Sequence, residues 1–244
     1  MRKVWFAVIA TSILALAGFA VSTSHPVKAE SFDNLPPGAV KWKVVDYNRI
    51  QTHPARIPFK LNLSTDGGIG FDFLYTPDTA LLGTSHPSYR GDLLGNMSGK
   101  SVSADVGVTV TPLTQFIFYG EGTPDNPCPN PAYVRFYFQT DTSGKFEETD
   151  YWWSNPTSVD LEALKTSDAV LAADISDGSQ WSDYFGHHGN NPAYAAAFQK
   201  ATKDIQFIGL SFGGGCFFEN GVGIAPGTGA GYFRLMDFTA SPTP

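Results

Sequence analysis

The 244-residue chain has only two cysteines, Cys128 and Cys216, far apart and with no histidine close to either. That spacing does not make a zinc site. Basic residues are scarce as well, 16 Lys and Arg against 23 Asp and Glu, for a net charge of −7. An acidic domain repels phosphate backbones and anionic lipid, so nucleic acid and membrane surfaces are poor partners and a neutral ligand fits better. Beyond the first two dozen residues no apolar run is long enough to span a bilayer, which excludes membrane insertion of the mature chain. The sequence shows no linker and no internal repeat. Helical crossovers between its strand-like segments are also lacking, so the strands pair antiparallel.

The start of the chain is a secretory signal. Arg2 and Lys3 precede an apolar stretch from Val4 to Val21, and Val27-Lys28-Ala29 fits a cleavage site, with cleavage after Ala20 as the alternative. Residues 1–29 are therefore a signal peptide, 30–240 a single domain and 241–244 a disordered tail, in a protein exported to the periplasm or outside the cell. The mature chain keeps 13 basic and 23 acidic residues, a net charge of −10. In an oxidising compartment the two cysteines are expected to form a disulfide, with two free buried thiols as the alternative. Its loop of roughly 90 residues corresponds to about 4–5 kcal/mol in the chain-entropy estimate. A mature chain of this size closes one core, and the domain is expected to be a monomer.

Period-two alternation runs through most of the domain. Phe59, Leu61 and Leu63, and Val102, Ala104, Val106, Val108 and Val110, each mark one buried face, and similar patterns cover 40–47, 69–75, 115–119, 132–140, 169–175, 205–212 and 231–240. Turn chemistry separates them, as at Asp66-Gly67-Gly68, Thr142-Ser143-Gly144 and Ser176-Asp177-Gly178. The expected fold is an all-β antiparallel jelly-roll β-sandwich of about ten strands. One short helix is added, capped by Asn191 with Pro192 at its first position and with Tyr194, Ala197, Phe198 and Ala201 on one face.

The segments YWWSN (Tyr151 to Asn155), WSDYFG (from Trp181), IGLSFGGG (from Ile208), FFENGVG (from Phe217) and FRLMDFT (from Phe233) resemble those of secreted bacterial carbohydrate-binding jelly rolls of the galactose-binding-like type, without assigned activity. The resemblance covers about 133–239 and implies fold more firmly than function, since such modules carry ligand residues on variable loops. It also implies an N-terminal strand, 42–47, beside the C-terminal one at 233–238. A structural calcium near that edge would draw on Asp46 and Asp237, two carboxylates against the six to eight oxygens calcium takes. No other cofactor is implied.

Sugar recognition pairs a flat apolar face with hydrogen-bonding edges. Trp153, Trp181 and Tyr184, with Tyr151 and Phe185 nearby, supply the faces; Glu219 and Asn220 are the polar partners. Alternation on a strand sends one of Trp152 and Trp153 inward, leaving the other as a platform. Glu121 and Glu219, which a Cys128–Cys216 bridge would draw to one end of the sandwich, make an alternative pair for glycoside hydrolysis. Gly209 to Gly213 matches G-x-S-x-G, but a nucleophile elbow needs a strand-to-helix turn, and three glycines in a row cannot lead a stable helix. Gly213 to Gly215 instead signal positive φ or close approach. His187 and His188, adjacent rather than spaced for one metal and flanked by Gly186 and Gly189, read as polar loop residues, and a metal site there would need ligands from elsewhere. Arg135 shares a face with Tyr133 and Tyr137, which reads as an arginine on a wet sheet face resting on tyrosines, with a ligand-facing platform as the alternative. Three readings follow: a lectin-type binder of a neutral polysaccharide or glycan, a glycoside hydrolase using the glutamate pair, or a non-catalytic structural or interaction protein of the cell exterior.

Overall fold

The computed structural model describes residues 30–31, 41–47, 56–59, 62–63, 68–119, 132–141, 143, 145–214 and 221–243. In chain order the strands are β1 (Glu30–Ser31), β2 (Lys43–Tyr47), β3 (Arg56–Phe59), β4 (Asn62–Leu63), β5 (Ile69–Asp72), β6 (Thr79–Thr84), β7 (Lys100–Val110), β8 (Phe116–Phe118), β9 (Tyr133–Gln139), β10 (Tyr151–Asp160), β11 (Ala169–Asp174), β12 (Trp181–Ser182), β13 (Phe207–Gly213), β14 (Val222–Ile224) and β15 (Gly231–Pro242). Two short helices, α1 (Leu161–Leu164) and α2 (Ala195–Ala201), interrupt them.

Among the described residues the strands form two sheets, and every strand pairing is antiparallel. The first sheet has six strands, ordered β11-β7-β15-β5-β4, with β1 also on β15. The second has nine, ordered β12-β10-β9-β13-β6-β14-β8, with β2 on β6 and β3 on β2. Aromatic side chains from the facing sheets interlock, as in Phe71 with Phe212 at 5.3 Å, Phe212 with Phe233 at 4.9 Å and Phe136 with Phe238 at 5.8 Å between ring centroids. This is the expected jelly-roll β-sandwich.

Alternation builds the inner faces directly. Along β7, Val102, Ala104 and Val106 are buried while Ser101, Ser103 and Asp105 are not. On β15 the apolar parity changes, from Phe233 and Leu235 to Phe238 and Ala240. The register shifts between Leu235 and Asp237, where the extra residue of a β-bulge lets both sets face the core.

Several expectations need correction. Among the described residues the strands number fifteen, several of them only two to four residues long, and α1 falls within residues 159–165, whose sequence also fits a brief turn of helix. The Asn191 side chain accepts from the backbone N–H of Ala193 in a turn, so α2 starts at Ala195 rather than behind an Asn191 cap. Residues 241–244 were expected to be a loose tail, yet Ser241 and Pro242 pair with Ser101 and Lys100. Thr243 also donates its backbone N–H to Gly99 O at 2.8 Å, since β7 is long enough to partner them. The strand beside the C-terminal one at the amino end is β1, whereas β2 lies in the opposite sheet and meets β15 through side chains, with Trp42 and Phe238 5.0 Å apart.

Candidate functional site

The structure buries the tryptophans that the sequence offers as platforms, on one side or the other of the second sheet. Trp152 points into the sandwich against Phe198 of α2, and Trp153 faces the other way. Both are 0% exposed, as is Trp181. Neither Trp153 nor Trp181 therefore offers the open stacking surface expected of it. The indole N–H of Trp153 donates to Ser211 Oγ at 3.1 Å, and its ring lies 5.0 Å from Tyr137 and 6.2 Å from Tyr184. Trp181 packs on Phe138 at 4.9 Å and donates to Asp174 O. Arg135 is likewise buried at 2% rather than wet, and its guanidinium donates to Asn155 Oδ1 at 2.6 Å, while the Asn155 amide donates to Ser182 Oγ. Alternation assigns a side chain to a face and cannot show that the face is covered.

The aromatic chain continues outward from Trp153. Tyr151 stacks on it at 6.5 Å, Phe146 stacks on Tyr151 at 5.7 Å, and Tyr184 meets Phe146 edge-on at 4.9 Å and Phe185 at 5.3 Å. At this outer end the rings are open: Phe146 is 55% and Phe185 54% exposed, with centroids 6.4 Å apart. Tyr151 and Tyr184 are half-buried.

Two anchored segments hold this rim. The turn Glu148–Asp150 is fixed by Thr140, which donates through its backbone N–H to Asp150 O and through its hydroxyl to the Asp150 carboxylate. The indole N–H of Trp152 donates to Thr149 O at 2.7 Å. The second segment, Asp183 to His187, folds around its own first side chain. The Asp183 carboxylate, 0% exposed, accepts the backbone N–H groups of Phe185 at 3.0 Å and His187 at 2.8 Å on one oxygen and faces His187 Nδ1 at 3.0 Å with the other. Asp183 N donates to His187 O, and Gly186 takes φ +85, which only glycine adopts without strain. A loop closed by these bonds keeps its shape without help from a ligand.

His187 lies flat on Tyr194, with ring centroids 4.0 Å and planes 8° apart, and the Tyr194 hydroxyl is 3.2 Å from Nε2. The Tyr194 phenol is pushed up in pKa, first by desolvation and then by the negative charges of Glu148 and Asp183. One donor atom from each of Glu148, Asp183 and His187 lies within 4.8 Å of the others, and this is the one such trio among the described residues. Sequence reading had Tyr184, Phe185 and His187 in view but missed Phe146, Glu148, Asp183 and Tyr194. The i, i+4 spacing of Asp183 and His187 around Gly186 was the available signal.

Cys128, Cys216, Glu121, Glu219 and Asn220 lie outside the described residues, as do the signal segment and its apolar run. Asp46 and Asp237 fall in different sheets, on β2 and β15, and neither joins a trio of metal donors among the described residues. Ser211 sits buried within β13, its hydroxyl accepting from the Trp153 indole N–H rather than facing an open site. In the glycine run the close approach falls on Gly214, where a Cβ would come 2.3 Å from the Phe118 ring. No helix among the described residues is long and apolar enough to cross a membrane.

No family model and no curated protein matches the chain. Among solved structures it is similar to a xylan-binding module, CBM15, with a TM-score of 0.39 and 11% identity over 84% of this chain and 92% of that one. It is also similar to a chain described by the words "Prominent members of the human gut microbiota express endo-acting O-glycanases to initiate mucin breakdown", with a TM-score of 0.47 and 9% identity over 88% and 98%. Both likenesses concern the arrangement of strands.

Proposed function

We propose that this protein is a secreted, lectin-type carbohydrate-binding domain that recognises a neutral glycan at the rim formed by Phe146, Tyr151, Tyr184 and Phe185. The observation that carries the reading is the adjacent pair of half-exposed phenyl rings beside the polar edge of Glu148 and His187. Stacking of a sugar face on such rings, with hydroxyls bonded at the edge, needs both parts side by side. The charge of the domain favours an uncharged polysaccharide over an acidic one. The tryptophans, in this reading, stiffen the sheet beneath the rim and do not touch the ligand.

A pull-down on insoluble polysaccharides and a glycan array test it, comparing the natural protein with F146A and F185A. Retention of the natural protein on at least one neutral glycan, weakened about tenfold or more in each variant, is the expected result. A blank array, or equal retention of both variants, would sink the proposal. Release of reducing sugar by the natural protein would instead favour the hydrolase reading with Glu121 and Glu219.

A further inference from the structure

The trio Glu148, Asp183 and His187 does something that sugar stacking does not require. It brings two carboxylates and an imidazole to one point from two segments separated by the whole of β10, α1, β11 and β12. We propose that these three side chains form a divalent metal site of the zinc class, which ties the Glu148–Asp150 turn to the Asp183–His187 loop.

The donor chemistry selects the ion. One imidazole nitrogen with two carboxylate oxygens suits zinc and its first-row neighbours, while calcium takes six to eight oxygens and no nitrogen. The geometry is close to ready. With bonds of about 2.0–2.1 Å, neighbouring ligands of a tetrahedral ion stand about 3.4 Å apart. His187 Nδ1 and Asp183 Oδ2 are 3.0 Å apart, and no donor of the trio is more than 4.8 Å from another. Closing the longer gap asks for a movement of roughly an ångström, which the half-exposed Glu148 side chain supplies by rotation about its own bonds. The two N–H groups held by Asp183 Oδ1 orient the carboxylate, the usual role of an outer hydrogen bond at a metal site, and the ion takes the place of the hydrogen bond between Oδ2 and His187 Nδ1, whose proton leaves to solvent. Three protein ligands leave the fourth position open on the solvent side, since the His187 side chain is 37% exposed.

His188, the neighbour in sequence, is no part of the trio, and its backbone is bonded elsewhere, accepting from Asn191 N–H. The pair of histidines is thus one ligand and one bystander. An ion here would fix Phe146, two residues before Glu148, relative to Tyr184 and Phe185, which lie between Asp183 and His187. The aromatic rim would then sharpen on metal binding.

Isothermal titration of zinc chloride into the whole chain, made without a histidine tag and stripped with a chelator, tests the site. One zinc per chain is expected, at micromolar affinity or better, with calcium chloride giving no heat. E148Q and H187A should each lose tenfold or more in affinity while H188A keeps it, and circular dichroism checks that each variant is folded. Zinc should also raise the melting temperature of the natural protein and of H188A but not of H187A. No zinc binding, or equal binding in H187A and the natural protein, overturns the proposal. Because no sugar enters the experiment, its failure leaves the glycan reading standing, and a blank glycan array leaves the metal site standing.

Discussion

Asp46 is 3% exposed on β2, in register with Thr79 on β6, and neither of its carboxylate oxygens meets a full hydrogen bond among the described residues. Burial lifts its pKa from 3.8 to about 6; the Thr79 hydroxyl pulls part of the way back and Asp78 adds to the rise. Between those two pH values the folded protein keeps a proton that the unfolded chain has released. Folding is then favoured below pH 4 and loses stability as pH rises to about 6. The difference between 3.8 and about 6, at about 1.36 kcal/mol per pH unit, puts the cost at pH 7 near 3 kcal/mol. Asp46→Asn removes the charge and keeps the shape, so it should stabilise the protein at pH 7 by about 1–3 kcal/mol. For a domain of this size that is about 2–4 °C of melting temperature per kcal/mol. Urea denaturation followed by tryptophan fluorescence, run on both proteins from pH 4 to 8, reads the difference directly. The gap should open across pH 4–6 and vanish at the acid end. A variant equal to or weaker than the natural protein at pH 7, or a gap independent of pH, refutes the reasoning.

The other predictions rest on packing. F146A and F185A should weaken glycan retention about tenfold while changing urea stability by less than about 1 kcal/mol, because both rings are half in solvent. Trp153→Ala should cost about 3–5 kcal/mol, leaving the Ser211 hydroxyl without its donor and a hole between Tyr137 and Tyr184, as measured by the same denaturation. Gly189→Ala should destabilise by about 1–3 kcal/mol, since a Cβ there would stand 2.5 Å from the Phe198 ring, and an unchanged melting curve would contradict the close packing of the loop on α2.

Where burial follows from alternation, the fold was legible: β7 and β15 show it, and even the parity change in β15 was written as Phe233, Leu235, then Phe238, Ala240. What misled was exposure. A second hydrophobic cluster of Val45, Ala80, Leu81, Tyr137, Trp153 and Phe207 covers the outer side of the second sheet, so aromatic residues on its far face are core rather than platform. A period of two cannot distinguish a sheet buried on one side from one buried on both. The site was half legible for the same reason. Tyr184 and Phe185 were visible as aromatics in a turn-rich loop, whereas Phe146, in a segment of Lys, Glu and Asp, joins them only through the anchoring of residues 148–150 by Thr140 and Trp152.

The placement of β15 has a kinetic consequence. It follows β1, β5 and β7 in sequence and holds all three, so among the described residues the first sheet has no middle until Gly231–Pro242 arrives. During synthesis the preceding strands would leave the ribosome with their inner face uncovered. Such long-range closure folds slowly, on the millisecond-to-second scale of β topologies of high contact order.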